Sequence, residues 1–424
     1  MIGLIDCNNF FVSCERVFRP DLTDSPVVVM SNGDGCAVAM SNEAKALGIT
    51  RSVPVYQVKD IIKRHNVITL SGNHHLYGDM SSRVMATIAS IVPGMDIYSI
   101  DEAFLDMSLW KGAELEQIGR NIVRKVRRDV GIPTSLGIAP TKTLAKIASR
   151  FAKKFPGYHS VCMIDSPEKT RKALKMTKVG DVWGIGRQAA KTLAKYRIYT
   201  ALDFANTNSS YVHSIIDING ERIWRELNGE PCIELEISEP DKKQICVSRT
   251  FTKSLESIEE LREAISYYCD IVGRKLREQN SCTTAVSVFI HTNPYRTDEP
   301  QYYGNLTKMI QDATNDTMQL TAWAMKTLES IYRSGYSYKR AGVIVSDLIN
   351  YYEVQEHLFS EFGLREKRNR LMNVIDRINS LDGTTDKVHL ATTTPNQKRI
   401  QQTRLSPLYS TRISDIITVK ATES

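Results

Sequence analysis

Residues 97–107 read IYSIDEAFLDM and place two neighbouring carboxylates, Asp101 and Glu102, inside a run that is otherwise apolar strand. Charges beside a core are normally paired or metal-bound. Successive side chains of a strand point to opposite faces, so adjacent acids share a target only where the chain turns between them. A hairpin fits, with residues 97–100 and 103–107 as its strands and the two acids as the connection; a solvated acidic turn is the plain alternative. A third acid comes from the start of the chain, where IGLIDCNNFF (residues 2–11) reads as a buried strand with Asp6 at its exit. Asp6, Asp101 and Glu102 are hard oxygen donors without a His or Cys among them, a set that suits Mg²⁺ rather than Zn²⁺. That points to phosphate chemistry.

Phosphate needs positive charge nearby, and the chain concentrates it. Between Arg120 and Lys154 basic residues crowd together against one acid, Asp129. Leu115, Ile118, Ile122, Val126 and Val130 recur at helical spacing, TSLGI follows as a short strand, and Thr141 is placed to cap a second helix, TKTLAKIASRFAKK. On that helix Lys142, Lys146, Arg150 and Lys153 fall on one face, away from Leu144, Ile147 and Phe151. Beside an acidic metal site, such a face fits a polyphosphate or a nucleic-acid backbone better than plain solvent. A second signal is KVGDVWGIGRQAAKTLAKYRIYTALDFA, where Gly184-Ile185-Gly186 separates two short helical stretches as a helix-hairpin-helix does. Glycines let the backbone approach a phosphate, turn amides donate to it, and Arg187 and Lys191 add charge. Contacts of this kind hold a duplex without reading its bases.

The chain's 424 residues suggest about three domains, and 42% apolar with 24% charged content is ordinary for a soluble globular protein. No run is long enough to span a membrane, and Asp6 interrupts the first apolar stretch too early for a secretory signal. The eight cysteines are scattered without a CxxC, so neither a zinc site nor a disulfide framework is indicated and a reducing cytoplasm fits. A net charge of +7 favours a nucleic-acid partner only weakly by itself. GxxxxGK[ST] is absent, which removes a P-loop NTPase. Residues 240–348 read as strand, helix (261–279), strand, helix (317–334), strand, and LREKRNRLMNVIDRIN reads as a further helix.

Taken together, DCNNFF, NEAKALGI, LYGDMSSRVM, YSIDEAFLDM, LGIAPTKTLAKIASRFAKK, DVWGIGR and RLSPLYSTRISDI resemble the motifs of the Y-family translesion DNA polymerases of the bacterial UmuC type, from residue 1 to about 420. The resemblance implies a mixed α/β (α+β) right-hand polymerase. Its palm would be residues 1–165 with fingers inserted at about 17–77, its helix-hairpin-helix thumb 166–238, its little finger 240–349 and its C-terminal tail 350–424. It implies two Mg²⁺ ions held by Asp6, Asp101, Glu102 and the Cys7 carbonyl, catalysing nucleotidyl transfer from a dNTP to a primer 3′-hydroxyl. Phe11 matches the steric gate that excludes a ribose 2′-hydroxyl, with Phe10 in the core, since strand alternation lets one of the two face the site. Triphosphate contacts map onto Asn42, Lys45 and Lys153. Relatives outside the UmuC group often carry Tyr and Arg at the first two, and Lys gives a point charge where Arg gives a fork.

DNA backbone contacts map onto Gly184, Gly186 and Arg187, and onto Ser248 and Arg249 of the little finger. QEHLF, residues 355–359, resembles a bacterial sliding-clamp peptide, with Gln355 at the rim and Leu358 and Phe359 filling an apolar cleft. The tail of this group implies a processed UmuD-type dimer and a RecA-type recombinase filament as partners. The expected activity is error-prone, SOS-associated copying of damaged, primed template DNA in the bacterial cytoplasm at the nucleoid, with no membrane partner. Two other readings stand beside it: a polymerase-like DNA-binding scaffold with an idle metal site, and a nucleotidyl cyclase acting on free nucleotides, which would leave the hairpin and the clamp-like peptide unexplained.

Overall fold

A computed structural model describes residues 1–236, 238, 240–355, 364–380, 387–392 and 402–418. The chain divides into two compact units, Met1–Glu239 with Gln401–Ser424, and Pro240–Ile400.

The first unit is built on a five-stranded sheet in the order β5 (Met95–Ile97), β6 (Glu102–Asp106), β1 (Ile2–Cys7), β7 (Thr134–Ala139) and β8 (Val161–Met163). β1 lies at its centre, antiparallel to β6 and β7, and both its faces are covered. Ile5, Ala103, Leu105, Leu136 and Ile138 pack on one side with the helices Phe10–Phe18, His74–Ala89 and Ala113–Val130. Leu4, Phe104 and Ala139 pack on the other with the helix Lys142–Lys154. Two covered faces explain why IGLIDC reads as a continuous apolar run rather than an alternating one. The expected helix with Leu115, Ile122, Val126 and Val130 on its buried side is present, and Thr141 caps the next by accepting a hydrogen bond from the Leu144 amide at 3.3 Å.

A smaller sheet, β2 (Val27–Met30) between β3 (Ala37–Met40) and β4 (Ile68–Ser71), has its own core of Val28, Met30, Ala44 and Ile49. Short helices between Pro167 and Leu227 join the core beneath the Lys142–Lys154 helix through Leu193, Phe204 and Ile223.

The second unit carries a four-stranded antiparallel sheet in the order β11 (Tyr303–Thr314), β10 (Ser281–Thr292), β12 (Tyr338–Asn350) and β9 (Ile245–Leu255). It is packed by the helices Ile258–Glu278 and Thr317–Ile331. The sequence reading of three strands here misses β11. Its sequence, YGNLTKMIQDAT, carries charged and amide side chains on an edge strand whose exposed face hides the period. The helix Leu364–Ser380 is fastened to this unit by Arg277, nearly buried, which donates to both oxygens of Asp376 at 2.6 and 2.8 Å. No helix among the described residues is long and apolar enough to cross a membrane.

Candidate active site

The three acids meet at one end of the central sheet. In the β1–β6 ladder Asp6 stands opposite Glu102, and the Cys7 amide donates to the Asp101 carbonyl at 2.8 Å. The hairpin differs from the sequence reading in one respect. Glu102 is the first residue of β6, β5 ends at Ile97, and residues 98–101 form the connection, so the two acids are not a symmetric tip. Nor do the apolar residues before Asp101 face a core: Ile97 is 57% exposed and Tyr98 48%.

Each carboxylate has a partner. Lys153 Nζ lies 2.5 Å from Asp6 Oδ1, Lys146 Nζ 2.7 Å from Glu102 Oε2, and the Ser99 hydroxyl donates to Asp101 Oδ1 at 2.7 Å. Burial pushes the Asp6 carboxyl up to about 6 against the pull of Lys153, with the charges of Glu102 and Asp101 adding to the rise. Among the described residues no three acidic, His or Cys side chains converge tightly enough to hold an ion as they stand. Lys153 and Lys146 occupy the Asp6 and Glu102 oxygens that a cation would take. The donor set nonetheless fits a hard divalent cation, being all oxygen and partly desolvated. Burial holds the Cys7 thiol far above its ordinary value, so only its main-chain carbonyl is available as a ligand.

The basic helix does not present one free face. Lys142 is buried and paired with Asp96 at 2.6 Å, Lys146 and Lys153 hold the acids, and Arg150 pairs with Asp181 at 2.9 Å. The reason is packing. The β7 backbone at Gly137 lies so close to this helix that an added Cβ would fall 2.0 Å from the Ser149 amide nitrogen, which lowers the helix onto the acids of the neighbouring strands.

These groups surround a cleft of about 660 Å³. Asp6, Asp101 and Glu102 line it with Phe11, Lys45, Arg51 and Lys153. Lys45 stands on the short helix Asn42–Ala46, capped by Ser41, and donates to Asn9 Oδ1 at 2.5 Å. Its ammonium is lowered by burial and by the neighbouring Lys153 charge. Asn42 does not line the cleft; its Oδ1 accepts from Asn9 Nδ2 at 3.0 Å. Arg51 escaped the sequence reading. The available signal was a second cation in the loop after Lys45.

Phe10 and Phe11 begin a helix, not a strand, so alternation is not what separates them. Helical rotation buries Phe10 and leaves Phe11 half-buried at the cleft, stacked on Tyr77 at 4.3 Å and edge-on to His74 at 5.8 Å. Lys146 was placed on the basic face, but its pairing with Glu102 and its aromatic surroundings were missed. Its ammonium sits 4.2 Å from the Tyr98 ring centre and 5.4 Å from that of Trp183, whose indole donates to the Tyr98 hydroxyl at 3.0 Å.

Gly184 has φ +84° and Gly186 precedes the helix Arg187–Lys195, on which Arg187 and Lys191 are exposed. The first arm of the expected helical pair is a single 3-10 turn, Val179–Asp181. In the second unit Ser248 and exposed Arg249 lie on the edge strand β9, and Arg340 donates to the Ser248 hydroxyl at 2.9 Å. Gln355 is exposed; Leu358 and Phe359 lie outside the described residues.

Residues 5–150 match the model of the impB/mucB/samB family, 242–358 that of its C-terminal domain, and 369–419 a domain of unknown function, DUF4113. Protein UmuC of Salmonella typhimurium is 38% identical over 99% of this chain and 100% of its own length. The chain belongs to the impB/mucB/samB family. SamB of Salmonella typhimurium, another of its members, is 37% identical over the full length of both chains. DNA polymerase IV of Oceanobacillus iheyensis is 28% identical over 69% of this chain and 70% of its own. Among solved structures, a Y-family DNA polymerase chimera of Dbh and Dpo4 aligns with a TM-score of 0.67 at 20% identity, covering 82% of this chain and 99% of the other. The insertion ternary complex of Dbh DNA polymerase aligns at 0.54 over the same shares. The fold of this impB/mucB/samB member is therefore that of the Y-family polymerases.

Proposed function

We infer that this chain is a translesion DNA polymerase, copying damaged template with low fidelity as part of SOS mutagenesis. The observation that carries the reading is the pairing of Asp6 with Glu102 across two strands, beside Asp101, on the wall of a cleft also lined by Lys45, Arg51 and Lys153. Negative charge gathered at one place and positive charge around it suit a triphosphate together with divalent cations. Asp6, Asp101, Glu102 and the Cys7 carbonyl would hold two Mg²⁺ ions, which when bound lower the pKa of the primer 3′-hydroxyl and neutralise the triphosphate. Lys153 exchanges Asp6 for a phosphate oxygen once that carboxylate is otherwise neutralised. Lys45 and Arg51, which line the same cleft, meet the phosphates, while Asn42 acts behind them by orienting Asn9. Phe11, backed by Tyr77, packs under the sugar and excludes a 2′-hydroxyl by shape.

Gly184, Gly186 and Arg187, with Ser248 and Arg249, hold primed template DNA through its backbone, and the exposure of the two glycines, Arg187 and Arg249 supports that role. Gln355, Leu358 and Phe359 dock on a sliding clamp. A UmuD-type dimer and a RecA-type filament complete a cytoplasmic assembly at the nucleoid, supported by similarity to UmuC along the whole chain. The test is primer extension across an abasic template site with Mg²⁺. Asp101→Ala should lose at least about a thousandfold in rate while retaining template binding. Retained extension removes the metal assignment, and an inactive wild-type chain that binds DNA selects the scaffold reading.

A further inference from the structure

The far end of the chain returns to the seat of Phe11. Residues 402–418 lie on the first unit, where the Ser71 amide donates to the Arg404 carbonyl at 2.9 Å and the Arg404 amide to the Ser71 hydroxyl at 3.0 Å. Asp34 accepts from the Thr403 amide, and the Tyr409 ring stacks on Phe18 at 4.9 Å with 5° between planes. Between these anchors Ser406 donates to Glu15 Oε1 at 2.9 Å, and the Tyr77 hydroxyl donates to the same oxygen at 2.7 Å. Tyr77 is the ring on which Phe11 stacks. The second link is Asn73, which caps the His74–Ala89 helix by accepting from the Leu76 amide and donates its own amide to the Ser406 hydroxyl at 2.9 Å.

Phe11 thus rests on His74 and Tyr77, the first turn of one helix, and that turn is held by Ser406 directly at its cap, Asn73, and through Glu15 at its tyrosine. Glu15 is fully buried, and its Oε2 has no hydrogen-bond partner among the described residues. A buried carboxyl satisfied on one side is poor packing, and an apolar residue would be cheaper there. What the carboxyl adds is direction, because one oxygen fixes two hydroxyls from elements more than three hundred residues apart.

We infer that residues 402–409 are a strap that positions the Phe11 ring through Ser406, Glu15 and Tyr77, so that the choice of deoxyribo- over ribonucleotide depends on the C-terminal segment. Ser406, Glu15 and Tyr77 are positioning residues, since none of them lines the cleft. The inference rests on Phe11 being the sugar gate. Displacement of a packed group by a fraction of an ångström is enough to alter fit at a reacting centre.

The test compares kcat/KM for a dNTP with that for the matching rNTP, using the full chain on a primed template. Phe11→Ala comes first: an unchanged ratio there removes the gate itself, whatever the strap does. With the gate established, Ser406→Ala should lower the ratio about tenfold, and Ser406→Thr should restore it. A Ser406→Ala enzyme that slows on both nucleotides in proportion, or keeps the wild-type ratio, overturns the strap. Should Ser406→Ala fail to fold, Tyr77→Phe cuts the next link while keeping the ring stack, and an unchanged ratio there overturns it equally. Combining the two changes should cost no more than the larger alone; losses that add overturn action through one chain of contacts.

Discussion

Lys146 stands between two kinds of partner. Its ammonium is 2.7 Å from Glu102 and 4.2 Å from the Tyr98 ring centre, with Trp183 at 5.4 Å. Cation–π contact of this sort is worth about 1–2 kcal/mol when partly desolvated. It can therefore stay in its aromatic surroundings when Glu102 turns to a divalent cation, and until then it competes for that carboxylate. Lys146→Ala should lower the Mg²⁺ concentration at half-maximal extension roughly threefold, a small effect in keeping with an ion pair that still reaches solvent; a raised requirement would show that the lysine assists the metal instead. Glu15 gives a pH signature away from the metal ligands. Burial raises its carboxyl above the ordinary value, against hydrogen bonds from Tyr77 and Ser406 and the more distant Arg19, with Cys14 and Tyr409 also nearby. The folded state then holds the proton more tightly than the unfolded chain, a stabilising contribution present below about pH 4 and lost as pH rises through the raised value. Glu15→Gln cannot lose it, so its stability relative to wild type should improve as pH is raised; a difference flat in pH would contradict the raised carboxyl. The acids were legible in the sequence because charge inside apolar strands is conspicuous. Arg51, Glu15 and the partners that Lys146 meets were not, since which partner a charge meets depends on contacts between distant segments.

At the level of elements, the decisive contact is between β7 and the Lys142–Lys154 helix. Gly137 is the point of closest approach, and its Cβ would lie 2.0 Å from the Ser149 nitrogen and 2.3 Å from the Ala145 carbonyl oxygen. Backbone cannot yield as a side chain can. Gly137→Ala should push the helix outward, costing about 3 kcal/mol or more and moving Lys146 and Lys153 off Glu102 and Asp6; a thermal midpoint near wild type would show that the helix tolerates the shift. Helix positions were readable because Leu115 to Val130 repeat with one period and Thr141 announces a start. β11 was not, because an edge strand such as Tyr303–Thr314 shows half its residues to water and needs only Ile310 and a few neighbours for the core. The hairpin connection was misplaced for a related reason: Ile97 and Ile100 look like core in sequence, yet both are exposed, and Ile100 lines the cleft.

For the whole molecule, the order of the chain matters more than any contact. The first unit includes residues that follow the second, so the polypeptide leaves it near residue 239 and re-enters near 401. The returning segment is seated by Asp34, Ser71, Asn73 and Glu15 and by the Tyr409–Phe18 stack. No local pattern in residues 402–418 foretells this, because the partners that seat the segment lie at the opposite end of the sequence. Such an arrangement makes the protein behave as a clasp. A protease site engineered between residues 240 and 241 and cut in the native state should give two pieces that still elute together from a sizing column, since the carboxyl-terminal piece carries the tongue that its mate's buckle holds. Pairing that survives in wild type and fails after Tyr409→Ala would trace the reassembly to that tongue; immediate separation of the cut wild-type halves would show that the clasp does not hold.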